Sequence, residues 1–204
     1  MNLKKYQDLL STDISDALHQ GCAMDIGIRC QIAQGEKTPR LMGVAYTVRC
    51  ENRSNTYLHD AIYSAPKNAI VVVEADSHDY AIAGGNVCAV AQQNGIAGFV
   101  IDGVVRDIAE VRSIGFPVFA RGVYPKPGKK GPEGASQVEI QCGSLTVNSG
   151  DLVVADEEGI VVVSAEHIEA VLETALAKKE KAEATSLEAW RDNHYQKIQE
   201  IVGK

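Results

Sequence analysis

Two rhythms of apolar and polar residues alternate along the chain. Candidate caps at Ser11, Thr12 and Asp13 precede apolar residues at helical spacing, and Gly21 predicts the stop of that helix. Over 41–50, Val44, Tyr46 and Val48 alternate with Ala45, Thr47 and Arg49, which predicts a strand. A short helix is expected over 59–64. The β-branched run Ala69-Ile70-Val71-Val72-Val73-Glu74 lies between turn formers and predicts a buried strand. Residues 86–93 read as a helix opened by Gly84-Gly85. Residues 97–102 read as the next buried strand, leaving through a turn at Gly103-Val104-Val105. A helix over 108–114 stops at Gly115, and Pro117-Val118-Phe119-Ala120 starts another strand.

Strand, helix, strand, helix and strand from Ala69 to Ala120 form the βαβ signature, so part of the sheet is expected to be parallel. The texture then changes. Tyr124-Pro125-Lys126-Pro127-Gly128-Lys129-Lys130-Gly131-Pro132 reads as a loop. Short strands follow over 138–141, 145–147, 152–155 and 160–163, separated by Gly143, Gly150 and Gly159. A helix is expected from near Ser164, with Ile168, Val171, Leu172, Ala175 and Leu176 on one face. Thr185-Ser186-Leu187-Glu188 reads as a capping box that restarts a second helix. Leu187, Trp190, Ile198 and Ile201 share a face of it, more apolar surface than an isolated tail should expose. The charged run Lys178-Lys179-Glu180-Lys181 reads as a solvated face. With no repeat or linker, one domain over 1–204 is expected, with a C-terminal helical extension over about 165–204.

Composition narrows the class. Apolar residues make up 45% and charged residues 23% of the 204, which excludes a disordered chain, a fibrous repeat and a disulfide-dense miniprotein. Twenty basic against 27 acidic residues give a net charge of −7, which repels a phosphate backbone, so no nucleic-acid partner is expected. No apolar run approaches the roughly 18 residues of a membrane span. No apolar stretch follows the lysines near Met1, so no signal peptide is expected and the localisation read from this is cytoplasmic. Cys22, Cys30, Cys50, Cys88 and Cys142 form no CxxC pair and read as small buried hydrophobes, Cys88 alone lying near a candidate site. His19, His59, His78, His167 and His194 are scattered without HxH or HExxH spacing.

The candidate chemistry lies between Gly84 and Glu110. Gly84-Gly85-Asn86-Val87 sits where a loop becomes a helix, and free amides at a helix start suit an anion such as a carboxylate. Glycines there let a ligand approach the backbone, although a Gly-Gly pair is also a common turn. Arg106-Asp107 follows the next strand, on the edge where open α/β sheets bind ligands. An arginine can grip an oxyanion, and an aspartate can hold a hard divalent cation through water. Glu110 falls on the same helical face as Asp107. Spacing by itself leaves two readings: a ligand site, or an acid-rich helix start with a surface ion pair.

Gly85, twenty intervening residues, Arg106-Asp107, two residues and Glu110 resemble the Gly-x20-Arg-Asp-x2-Glu/Asp signature of one family. That family holds the class II 4-hydroxy-4-methyl-2-oxoglutarate/4-carboxy-4-hydroxy-2-oxoadipate aldolases and the regulator of ribonuclease E activity A. Ser15-Asp16-Ala17-Leu18, Val100-Ile101-Asp102-Gly103, Gly115-Phe116-Pro117-Val118-Phe119-Ala120-Arg121-Gly122 and Gly150-Asp151-Leu152-Val153-Val154-Ala155-Asp156 carry the resemblance further, over about 10–175. It implies an α/β fold, an αββα sandwich of the swivelling-domain type with mixed sheets. It implies a homotrimer or a hexamer built as a dimer of trimers, with the site in a cleft between subunits. The amides of Gly84, Gly85, Asn86 and Val87 would take the carboxylate of a small 2-keto acid. Arg106 would contact the 2-keto oxygen, Asp107 would hold Mg²⁺ or Mn²⁺ largely through water, and Glu110 would support them.

The activity so implied is metal-dependent retro-aldol cleavage of a 4-hydroxy-2-oxo acid to pyruvate, with oxaloacetate decarboxylation through the same enolate. No lysine sits in the motif region to form a Schiff base, which favours the metal route. Two alternatives stand beside it: a non-catalytic protein-binding regulator of ribonuclease E, and a lyase on another 2-keto or sugar acid. The regulator branch tends to lack the third acid, and Glu110 is kept here, which favours an enzyme. The position after the motif glycine is commonly acidic in the family, whereas this chain has Asn86, which cannot serve as a carboxylate base. Glu180 or Glu183 could reach a neighbouring subunit's metal, as a C-terminal acid does in the family, but the solvated-helix reading is preferred. No methyl-donor motif supports the methyltransferase role also given to family members.

Overall fold

The computed structural model describes residues 3–18, 21–32 and 38–203; His19 and Met1 lie outside them. One mixed sheet organises the chain. Its strands are β1 (Arg29–Cys30), β2 (Leu41–Cys50), β3 (Ile70–Ala75), β4 (Gly98–Val105), β5 (Val118–Val123), β6 (Gly134–Ser136), β9 (Leu152–Ala155) and β10 (Ile160–Val163). The path runs β1-β5-β4-β3-β2-β9-β10, with β6 also on β2. β2, β3, β4 and β5 are parallel, as the βαβ order requires. A separate hairpin joins β7 (Ile140–Cys142) and β8 (Leu145–Val147).

The long β2 makes the sheet curl. Its first half pairs with β9, Leu41 facing Ala155, and its second half pairs with β3 and β6. Alternation along each strand then feeds separate cores. Val71, Val73, Phe99 and Ile101 face a core closed by helices α2 (Thr56–Ser64), α3 (Gly85–Gln93) and α4 (Ile108–Ile114). Ile70, Val72, Val100, Val153 and Val162 fill the space between the two halves of the sheet. Leu152, Val154, Val161 and Val163 face α1 (Ser11–Leu18) and α5 (Ile168–Glu183). Helix, sheet, sheet and helix layers result, the αββα order that the resemblance implied. Phe99 and Phe116 anchor the first core edge-to-face, with centroids 4.8 Å apart.

The structure corrects several local expectations. α1 begins at Ser11, which is itself buried and bonded to Asp156, while Asp13 reaches back to the Leu10 amide. β4 does not end at Asp102: it continues through Gly103 to Val105, with a register shift against β5 between Ile101 and Val104. The first turn after Ser164 is a 3₁₀ turn, Ala165–His167, before α5 begins. α6 (Leu187–Val202) is capped by Ser186, whose hydroxyl accepts from the Ala189 amide, so Glu188 does not complete a capping box. Thr185 instead donates to the Lys181 carbonyl. Glu180 and Glu183 are exposed on α5. Among the described residues, no helix is long and apolar enough to cross a membrane.

Candidate active site

The last residues of β4 are stitched to the segment that precedes α3. The Ile82 amide donates to the Val104 carbonyl at 2.9 Å, and the Arg106 amide to the Ala83 carbonyl at 3.0 Å. This brings Gly84-Gly85 against Arg106-Asp107, at the carboxyl ends of adjacent parallel strands. Glu110 follows within the first turn of α4.

Asp107 adopts the left-handed conformation, φ 55° and ψ 37°, where a non-glycine residue is uncommon. It stands at the N-cap of α4, yet its side chain does not cap that helix. Its Oδ2 accepts from the Gly85 amide at 3.2 Å, and Arg106 Nε lies 3.4 Å from the same oxygen. The two glycines are there for the acids. A Cβ at position 84 would collide with Asp107 Oδ2, and one at 85 with Glu110 Oε2. The Cβ directions of both glycines are thus occupied by the chain's own carboxylates, while the Gly84 backbone still borders open space. The Asn86 and Val87 amides carry no acceptor among the described residues, and the Asn86 side chain is exposed.

Gly84, Asn86, Val87, Arg106 and Asp107 line one cavity of about 320 Å³. Three further groups line it that the sequence reading missed: Asn55, His59 and Lys130. Lys130 comes from the Pro/Lys loop, and its ammonium donates to Asn55 Oδ1. Asn55 in turn donates to the Ile82 carbonyl, tying the loop to the wall of the site. A basic run in a proline-bounded loop was the available signal; its destination depends on contacts remote in sequence. The expectation of no lysine near the motif is therefore corrected. Two clefts of about 830 and 890 Å³ lie elsewhere and contain none of these groups.

The electrostatics follow from burial. Burial holds the Lys130 ammonium below the usual lysine range, and the Arg106 charge adds to this. Burial, then the Lys130 charge, push His59 down to about 4, so its imidazole is neutral at pH 7. Burial and then Asp107 push the Cys88 thiol up to about 12, which makes it a packed helical cysteine.

Asp107 is the carboxylate of this cavity that could face a metal ion. No group of three or more His, Cys, Asp or Glu able to hold one occurs among the described residues. A single carboxylate beside a water-accessible cavity fits a hard cation that keeps most of its waters, as Mg²⁺ does, and does not fit a structural zinc.

On the other side of the sheet, Asp102 pins the register shift of β4. Arg121 grips both of its oxygens and the Gly143 amide donates to Oδ2 at 2.7 Å. Burial alone would raise this carboxyl, but the Arg121 and Gly143 bonds outweigh it and hold it below the usual carboxylate range. The strand exit that carries Arg106 is thereby fixed from behind.

Known proteins resemble this chain in sequence and in fold. A profile of the RraA-like family (Aldolase/RraA) matches residues 11–162. A Halalkalibacterium halodurans protein provisionally named 4-hydroxy-4-methyl-2-oxoglutarate aldolase is 33% identical over 183 residues, covering 89% of this chain and 85% of its own. An uncharacterized Pseudomonas syringae protein superposes with a TM-score of 0.76 at 27% identity, covering 94% of this chain and 92% of that one. The RNA-processing inhibitor RraA from Thermus thermophilis gives 0.67 at 27% identity, over 75% of this chain and 91% of that one.

Proposed function

The chain belongs to the RraA-like (Aldolase/RraA) family, and from that premise we propose that it is a divalent-metal-dependent pyruvate aldolase that also decarboxylates oxaloacetate. The observation that carries this reading is the convergence of Arg106, Asp107 and the first turn of α3 on one cavity. The Asn86 and Val87 amides take the carboxylate of the 2-keto acid at the positive end of α3. Arg106 donates to the 2-keto oxygen. When the bond beside the keto acid breaks, negative charge gathers on that oxygen, and a fixed guanidinium stabilises it there. Lys130, on the loop side of the cavity, takes a second carboxylate, so a dicarboxylic 2-keto acid suits the site better than a monocarboxylic one. Neutral His59 offers a nitrogen that can accept or return a proton. Asp107 would hold Mg²⁺ or Mn²⁺, which supplies Lewis-acid charge at the same oxygen.

A trimeric ring, or a dimer of such rings, is the assembly that goes with this reading; light scattering of the full chain tests it. The second reading, a protein-binding regulator, is favoured by likeness to the Thermus inhibitor. Pyruvate release from a panel of 2-keto acids, with Mg²⁺, with Mn²⁺ and with chelator, separates the two. Metal-dependent release supports the enzyme. Release no faster than the metal-only control for every acid favours the regulator.

A further inference from the structure

We propose that α6 pairs antiparallel with α6 of a second copy of this chain, about a two-fold axis at His194. The helix is well specified at both ends: Ser186 caps its start and left-handed Gly203 closes it. Yet none of its residues is buried, and an isolated helix of this length is marginal in water. Leu187 is 81% exposed, Trp190 54%, Ile198 38% and Ile201 70%. Such a face needs a cover, and its sequence says which one.

The stripe reads the same in both directions. Trp190 and Ile198 stand four residues either side of His194, and Leu187 and Ile201 stand seven either side. Offsets of four and seven return to one helical face. A two-fold contact requires the same patch on both copies, with each residue meeting its symmetry mate's counterpart. Antiparallel pairing about His194 sets Leu187 on the partner subunit's Ile201 and Trp190 on the partner subunit's Ile198. Each layer then joins unlike shapes. Parallel pairing would instead stack Trp190 on the partner's Trp190, like on like. In the antiparallel pair Arg191 lies near the partner's Tyr195, on the same flank of the stripe, where a cation meets a ring. Trp190 already stacks on His194, with centroids 4.6 Å apart and planes 11° apart, so the centre of the patch is preformed.

Two helices of about 24 Å each bury on the order of 1,000 Å², the threshold of a specific interface and below the usual size of a stable one. The contact therefore acts as a joint between folded bodies. α6 begins beyond residue 162, where the family match ends, and the inhibitor from Thermus matches only 75% of this chain. The joint lies beyond the matched family core and does not depend on the catalytic reading.

The test uses the full chain with His194→Cys, under mild oxidation or a short bis-maleimide, with wild type as the control for its own cysteines. A residue on the two-fold axis links to itself, so a covalent dimer through position 194 is expected. Leu187→Cys should not link to itself, but should link to a chain carrying Ile201→Cys. Ile198→Asp should halve the mass in sedimentation while the thermal melt of the body stays unchanged. Self-linking through Leu187→Cys would mean a parallel pair and overturn the proposal. No link at 194, or an unchanged mass for Ile198→Asp, would overturn it as well.

Discussion

Asp107 Oδ2 accepts a hydrogen bond from the Gly85 amide at 3.2 Å, so the residue that precedes α4 caps α3. Neighbouring helix starts are thereby joined through one carboxylate. The left-handed backbone at Asp107 turns its side chain away from its own helix and toward the other.

Asp107→Ala should abolish metal-dependent pyruvate release while circular dichroism shows a folded chain. Turnover at the wild-type rate would remove Asp107 from the metal site. Arg106→Lys should lose about a hundredfold or more in kcat/KM, because a point charge cannot reproduce the guanidinium fork. An unchanged rate would make Arg106 structural.

Gly85→Ala should destabilise the fold by about 1–3 kcal/mol, since the new methyl meets the Glu110 side chain. Glu110→Ala in the same chain should recover part of that loss, because it removes Oε2 and Cδ from the contact. A double-mutant cycle in urea checks this; additive losses would show that the clash is not the cause.

His59 should make stability pH-dependent in acid. Its folded value, about 4, lies below that of an unfolded histidine near 6.5, so the unfolded chain binds the extra proton between them. The contribution is fully present above pH 6.5 and is lost as pH falls toward 4. His59→Gln should flatten the stability curve in that window, read from urea midpoints at stepped pH. An unaltered slope would show that His59 is not protected from protonation.

Purified protein should release pyruvate from oxaloacetate with Mg²⁺ or Mn²⁺, and EDTA should stop it. Decarboxylation needs no base to take a hydroxyl proton, so it should survive Asn86 even where cleavage of 4-hydroxy-4-methyl-2-oxoglutarate is weak. Lys130→Ala should raise KM for oxaloacetate by about ten- to a hundredfold, the worth of one charged hydrogen bond. An unchanged KM would remove Lys130 from substrate binding.

Periodicity made much of this fold legible. β2, α4, β8, β9 and β10 occupy the spans that alternation and stop residues mark out. β1 and β6 were invisible because two residues, or Gly134-Ala135-Ser136, carry no β-branched rhythm. Gly103 reads as a turn because strands disfavour glycine, but here it lets the strand pass close to Ala75. The site was half legible. Arg106, Asp107 and the Gly84-Gly85 loop share an edge because the βαβ order puts them there. Asn55, His59 and Lys130 arrive through the contacts of the 124–132 loop with residues far upstream, which spacing does not encode.

The curl of the sheet at β2 has a cost during synthesis. Among the described residues, Leu41–Val44 find their pairing partner in Leu152–Ala155, more than a hundred residues later. While the ribosome is still making that stretch, the first half of β2 presents an unpaired, largely apolar edge to the cell. The parallel strands β3, β4 and β5 can assemble earlier, but the space between the two halves of the sheet stays open until β9 and β10 emerge. Truncated chains that end before Leu152 would keep that edge, and would be expected to aggregate or to engage chaperones rather than to persist as smaller working domains.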